Sequence, residues 1–238
     1  MAFAFPQPLW ASVVVTLVFA LLARCVRGVN ISGAVAGAFV CFVLYASAGP
    51  PALAALITVF ILTWIATRYG YSRKRALGTA ENREGRTASQ VLANLLTAAL
   101  FAAVSALTGR TIFLVATAAA FSEAAADTVS SELGQINNQE VHLVTTWEIV
   151  PAGTDGGISA TGTAAGIAAA IIVCGVCSLS RLVSLKWAVF SLIAGVAGMM
   201  LDSYLGASLE RRKLLNNNGV NFLSTLAAAA IALLLAIR

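Results

Sequence analysis

The chain has 238 residues, of which 59% are hydrophobic and 11% charged, whereas a soluble domain of this length carries about 25% charged residues. That balance excludes an ordinary soluble domain, and the net charge of +5 informs only through where the charges fall. They are confined to short segments between long apolar runs, the pattern of a polytopic membrane protein whose helices each need about 20 mostly apolar residues.

In chain order, the apolar runs predict spans over 9–23, 31–46, 52–67, 89–108, 111–127, 160–180, 187–205 and 219–237. The expected fold is therefore all-α, an integral membrane protein of about eight transmembrane helices forming a single domain over 1–238. The first run is not read as a signal peptide: Met1 to Trp10 carries no Lys or Arg, and arginines follow the run instead. Cys25, Cys41, Cys174 and Cys177 lie in or beside apolar runs, and the Cys174–Cys177 pair has no second ligand pair, so all four read as small hydrophobes. Asn30-Ile-Ser32 fits a glycosylation acceptor but falls on the side assigned to the cytoplasm, and is read as chance.

Charge placement sets the orientation. The loops after the first, third and seventh spans hold eleven basic residues (Arg24, Arg27, Arg68, Arg73, Lys74, Arg75, Arg83, Arg86, Arg211, Arg212 and Lys213). The opposite side holds four (Arg110, Arg181, Lys186 and Arg238). The positive-inside rule places the first set in the cytoplasm and both termini outside. Two cytoplasmic loops stand out, a basic one over 68–88 and an acidic, Gly-rich one over 128–159. The basic loop has only Tyr69 and Tyr71 as aromatics and lies between spans. Anionic lipid or a phosphate ligand suits it, and nucleic acid is excluded as a partner.

Polar residues gather in three clusters on the cytoplasmic side. In the first, Arg86, Gln90 and Asn94 drift by only about 40° per step and line one helical stripe into the membrane. An amide such as Asn94 inside a span needs a partner there. In the second, Glu123 and Asp127 lie one helical turn apart at the end of the fifth span, and no Lys or Arg occurs between Arg110 and Arg181. Carboxylates at membrane depth are functional candidates, and a hard divalent cation such as Mg²⁺ would supply the missing counter-charge. The Gly-rich run Pro151-Ala-Gly-Thr-Asp-Gly-Gly157 then leads through Ser159 into the sixth helix, where free amide N–H groups suit phosphate. It is neither a Walker A nor a Rossmann fingerprint, and Gly162 and Gly166 also fit simple helix packing. In the third, Gly198, Asp202, Gly206 and Glu210 recur every four residues, and Asn216, Asn217, Asn218 and Asn221 open the last span with more amides than one helix cap requires. Together the clusters point to metal-assisted phosphoryl or nucleotidyl transfer to a lipid entering between helices.

Five motifs in order carry a resemblance over nearly the whole chain: Arg83-Glu-Gly-Arg-Thr-Ala-Ser-Gln-Val-Leu-Ala-Asn94, Ala126-Asp-Thr-Val-Ser-Ser-Glu-Leu-Gly134, Pro151 to Gly157, Leu201-Asp-Ser-Tyr-Leu-Gly-Ala207 and Asn217-Asn-Gly-Val-Asn-Phe-Leu223. They resemble the transmembrane-protein-19 family, which includes plant and cyanobacterial phytyl-phosphate kinases. The resemblance implies a membrane phosphotransferase with a phosphate group as acceptor. It would move the γ-phosphoryl of a nucleoside triphosphate, CTP being the expected donor, onto an isoprenyl (phytyl or polyprenyl) monophosphate. On this reading Asp127, Glu132 and Asp202 hold Mg²⁺, with Glu123 supporting them from deeper in its helix. Glu132 is the weakest of the three, lying about 140° round the helix from Asp127. Gly153, Thr154, Asp155, Gly156, Gly157 and Ser159 cradle the nucleotide, and Arg83, Arg86 and Lys74 offset phosphate charge. Gln90, Asn94, Asn218 and Asn221 read the base or the lipid phosphate. Asp155 stands where many relatives are expected to carry Asn, which leaves metal ligand and nucleotide contact both open there. Two alternatives share these residues: a CTP-dependent cytidylyltransferase acting on a lipid phosphate, and an ion-coupled lipid transporter or flippase. Membrane lipids are expected partners, and the sequence leaves a homodimer open.

Overall fold

The computed structural model describes residues 7–136 and 140–238; part of the loop read as 128–159 and the first six residues lie outside them. The helices are α1 Leu9–Cys25, α2 Ile31–Arg68, α3 Tyr71–Leu77, α4 Ala88–Thr108, α5 Phe113–Gly134, α6 Ala160–Leu179, α7 Leu185–Leu205 and α8 Asn217–Ile237. A π-helical turn, Gly206–Glu210, extends α7. The helix starts follow from local chemistry, since polar side chains satisfy amide N–H groups that have no partner in the helix. Asn30 accepts from the Gly33 N–H, Ser159 from Gly162, Ser184 from Trp187 and Asn216 from Gly219. The Asn30 amide of the glycosylation-like triplet is thus a helix cap.

Among the described residues, five helices are long and apolar enough to cross a membrane: α2, α4, α6, α7 with its π turn, and α8. The 38-residue α2 is not one rod. Gly49, with φ +68°, breaks it ahead of Pro50 and Pro51, which lack the N–H that a continuing helix needs. The two halves fold back on each other, because Arg68 Nη2 donates to the Val26 carbonyl at 2.7 Å and Trp64 Nε1 donates to the same oxygen at 3.2 Å. Both ends of α2 therefore lie together, which matches separate runs over 31–46 and 52–67.

α5 is the centre of the bundle. It packs against α2, α4, α6, α7 and α8, and every residue from Val115 to Ala126 is buried. Enclosure by protein rather than lipid explains how this helix accommodates Ser122, Glu123 and Thr128. Close approach is secured by small residues. A Cβ on Gly166 would stand 2.7 Å from the Ala126 carbonyl, and one on Gly198 would stand 2.7 Å from the Glu123 side chain. Packing of this kind, rather than hydrophobic transfer, holds helices together in lipid. Gly162 belongs to the same seam, its Cβ position lying 2.7 Å from the Ser130 carbonyl.

Contacts between the loops gather one end of the bundle. Asn30 N–H donates to the Arg86 carbonyl, Arg73 Nε donates to the Gln135 carbonyl, and Gly156 lies against Ala207. That end carries the eleven basic residues of the majority set. One feature was absent from the all-α expectation. Strands β1 (Val141–Leu143), β2 (Ile149–Val150) and β3 (Gly157–Ile158) form a small antiparallel sheet in the order β2-β1-β3, which fixes the loop before α6.

Candidate active site

A polar cavity of about 340 Å³ opens at the end of the bundle where the loops gather. Its floor is built by α5 and α7. Asp127, at the last turns of α5, and Asp202, at the last turn of α7, both line it. Glu123 lies one turn below Asp127 and against Gly198 of α7, one turn before Asp202. It is 1% exposed, and its Oε1 has no hydrogen-bond partner among the described residues. Ser224 from α8 donates to Asp202 Oδ2 at 3.0 Å. None of the three carboxylates makes an ion pair among the described residues. Buried charge without a cation is costly, so this arrangement calls for a proton or a metal.

The Gly-rich turn forms one wall. Gly153 and Gly156 adopt φ +88° and +75°, left-handed conformations that favour glycine. Gly156 also lies so close to the π turn that a Cβ would stand 2.4 Å from the Ala207 nitrogen. The turn thereby brings Asp155 and Glu210 to the same cavity. The widened π turn matters here, because it alters the four-residue spacing of Asp202, Gly206 and Glu210 just before Glu210.

The opposite wall is amide-rich. Asn221 Nδ2 on α8 donates to Asn94 Oδ1 on α4 at 3.3 Å, and both residues are buried. Asn94 Nδ2 donates to the Gln90 carbonyl, and Asn221 Oδ1 is buried without a partner. Of the four asparagines that open α8, Asn216 is the cap, while Asn217, Asn218 and Asn221 line the cavity. Gln90 has a structural duty as well: its Oε1 accepts from the Thr87 N–H at 2.8 Å, and its Nε2 donates to Glu81 at 2.7 Å. Arg86 lines the cavity and makes no ion pair among the described residues.

Of the residues assigned to metal, nucleotide or phosphate from the sequence, all line this cavity except Lys74, Arg83 and Glu123. Lys74 corrects the expectation of a phosphate-facing cation. Its ammonium is fully buried, donating to the Ala66 and Thr67 carbonyls at 2.8 and 2.7 Å and to Glu132 at 2.6 Å. The short helix α3 folds back over the end of α2 and seals it there. Glu132 is thereby committed on one oxygen to Lys74, which removes it from the centre of the proposed metal set. Arg83 lies over the Tyr71 ring, 5.8 Å from its centroid, and borders a neighbouring apolar cavity instead.

The donor set suits Mg²⁺ in kind, being all oxygen, and Mg²⁺ is commonly held by one or two carboxylates plus substrate phosphates. Among the described residues no three Asp, Glu, His or Cys side chains form a preassembled metal cage. Sequence reading gave no role to Glu81, Thr79 or Gln135. Thr79 hydrogen-bonds Gln135 at 2.5 Å, and all three line the cavity. They come from loops whose paths no periodicity reveals.

The sequence profile of a family described as "Integral membrane protein DUF92" matches residues 14–229. The chain is 33% identical to the Uncharacterized membrane protein MJ0933 of Methanocaldococcus jannaschii, over 95% of this chain and 94% of that protein. It is 32% identical to Protein VTE6, chloroplastic, of Arabidopsis thaliana, over 96% of this chain and 72% of that one. Identity to Protein PGR of the same plant is 28%, over 84% and 86% of the two chains. No solved structure matches the chain. With nearly its whole length matched, the chain belongs to the DUF92 family of integral membrane proteins.

Proposed function

We propose that this protein is a Mg²⁺-dependent membrane kinase that transfers the γ-phosphoryl group of a nucleoside triphosphate, CTP in the first instance, to an isoprenyl monophosphate. One observation carries the reading: among the described residues, two carboxylates without a cation partner share a cavity with an unpaired guanidinium and a Gly-rich turn at a helix N-terminus. Counting α2 as two spans, eight helices cross the membrane, and the basic end lies in the cytoplasm, where nucleotide is available. Polar side chains gather at that end, which supports transfer over transport.

Asp127 and Asp202 would hold the metal, which when bound offsets charge on the nucleotide phosphates. The N–H groups of Gly153, Asp155 and Gly156 and the first ones of α6 bind and orient those phosphates, while those of Thr154 and Gly157 donate to the Pro151 and Thr154 carbonyls and hold the turn's shape. Arg86 attracts the acceptor phosphate and offsets its charge. An acceptor oxygen forms the new P–O bond to the γ-phosphorus, the bond to the β-bridging oxygen breaks, and the nucleoside diphosphate leaves. The acceptor is largely dianionic near neutral pH, its second pKa being about 6, so no proton need be removed and no general base is required.

Purified protein incubated with Mg²⁺, labelled CTP or ATP and a panel of isoprenyl monophosphates is expected to yield lipid diphosphate and nucleoside diphosphate. Formation of a CDP-lipid with pyrophosphate would replace this reading with the cytidylyltransferase. Lipid flux without nucleotide turnover would replace it with transport. The reading also predicts that Gly156→Ala raises the KM for nucleotide about tenfold or more. A left-handed Ala costs roughly 1–2 kcal/mol, and its Cβ pushes the turn off Ala207. Unchanged nucleotide kinetics in the Gly156→Ala protein would remove the turn from the nucleotide site.

A further inference from the structure

A second cavity, about 420 Å³ and mostly apolar, lies between α1, the two halves of α2, and α4. We infer that it is the seat of the acceptor's hydrocarbon chain, and that Arg86, Gln90 and Asn94 form the threshold where the acceptor's phosphate meets the nucleotide. The inference rests on the kinase reading and adds to it where the lipid lies and what limits its length.

Three observations support it. First, the two cavities adjoin, because Glu81, Arg86, Gln90 and Asn94 line both. A ligand with its chain in one therefore presents its head to the other. Second, charge is distributed as an anionic head and an apolar tail require. Arg27, Arg68, Arg83 and Arg86 surround the mouth, while Leu56, Val59 and Ala124 line the deep part and are buried. Leu56 lies twelve residues before the end of α2 at Arg68, about 18 Å along the helix, so the cavity runs well into the bundle. Third, the void is kept open by small residues. Ala20, Ala23, Ala34 and Gly37 face it from α1 and the first half of α2, and a Cβ built on Gly37 meets no atom within 4 Å. The far wall is firm, since Phe19 and Phe60 pack edge to face with centroids 5.7 Å apart. A site of this size suits one small-molecule ligand, and its walls offer an anchored phosphate a single apolar path.

The open space at Gly37 supplies the test. Gly37→Phe fills the cavity from a helical position with ordinary backbone angles, so the fold is expected to stand, and its thermal midpoint in detergent checks this. The proposal expects kcat/KM for phytyl monophosphate to fall about a hundredfold in this protein, the scale on which a filled apolar pocket discriminates. The value for the much shorter geranyl monophosphate should stay within about twofold. Equal losses for both acceptors, or no loss for either, would overturn it. A readout independent of turnover is photolabelling of wild-type protein with a diazirine-bearing isoprenyl monophosphate. Labelled peptides from α1 and α2, lost in Gly37→Phe, support the seat even if no nucleotide is consumed, in which case the kinase reading alone fails. Turnover with the label elsewhere removes the seat and leaves the kinase reading standing. Competition by dioleoyl phosphatidic acid as strong as that by phytyl monophosphate would overturn the single-chain assignment.

Discussion

Asp127→Asn and Asp202→Asn proteins are each expected to insert, purify as a single species and transfer phosphoryl at least about a thousandfold more slowly than wild type. A thousandfold corresponds to roughly 4 kcal/mol of transition-state stabilisation, the scale expected when a metal loses one of its carboxylates. Stability should move the other way. In the protein without metal, these two carboxyls line one cavity with Glu123 buried a helical turn below Asp127, and no cation is paired to any of the three among the described residues. Replacing one acid with an amide removes a repulsion and keeps a hydrogen-bonding group, so the thermal midpoint without ligand should hold or rise. Activity lost while stability is kept is the mark of a site strained for function. Folded variants that transfer at near-normal rates would end the assignment of these two residues.

The second large effect concerns stability and runs against the sequence-based expectation for Lys74. Lys74→Met should lower the thermal midpoint in detergent strongly, because it leaves Glu132 facing a cavity wall and two backbone carbonyls without their donor. Removing one partner of a buried pair costs about 3–5 kcal/mol. Adding Glu132→Gln should recover part of that loss, since an amide can donate to a neighbouring carbonyl and leaves no charge unpaired. A phosphate-binding lysine would behave in the opposite way, its loss slowing transfer and sparing the midpoint. The rate per folded molecule therefore separates the two roles.

The contrast between Lys74 and Arg86 shows where sequence reading reaches its limit. Both lie in the same basic loop, and composition treats them alike. Arg86 precedes a helix whose stripe continues through Gln90 and Asn94, so periodicity could aim it at the cavity. Lys74 lies on α3, a helix of seven residues too short for its facing to be read. Its fold-back over the end of α2 depends on a left-handed Gly70 and on contacts with α5. Glu210 illustrates the same limit at smaller scale. Its spacing from Asp202 was visible, but the π turn that decides its approach was not.

By itself the sequence determined the membrane class, the runs that became helices and the clustering of polar groups at one end. Those properties are local, since a run of apolar side chains must leave water. It also brought Asp127 and Asp202 forward, because a carboxylate at the end of an apolar span is costly wherever the helix packs. The tertiary structure alone decided that α5 is the enclosed centre, that Lys74 is buried in an ion pair, and that an apolar cavity adjoins the polar one through Arg86. These depend on which helix faces meet, set here by contacts such as Gly198 against Glu123 and Gly166 against Ala126, far apart along the chain and carrying no period that a single sequence displays.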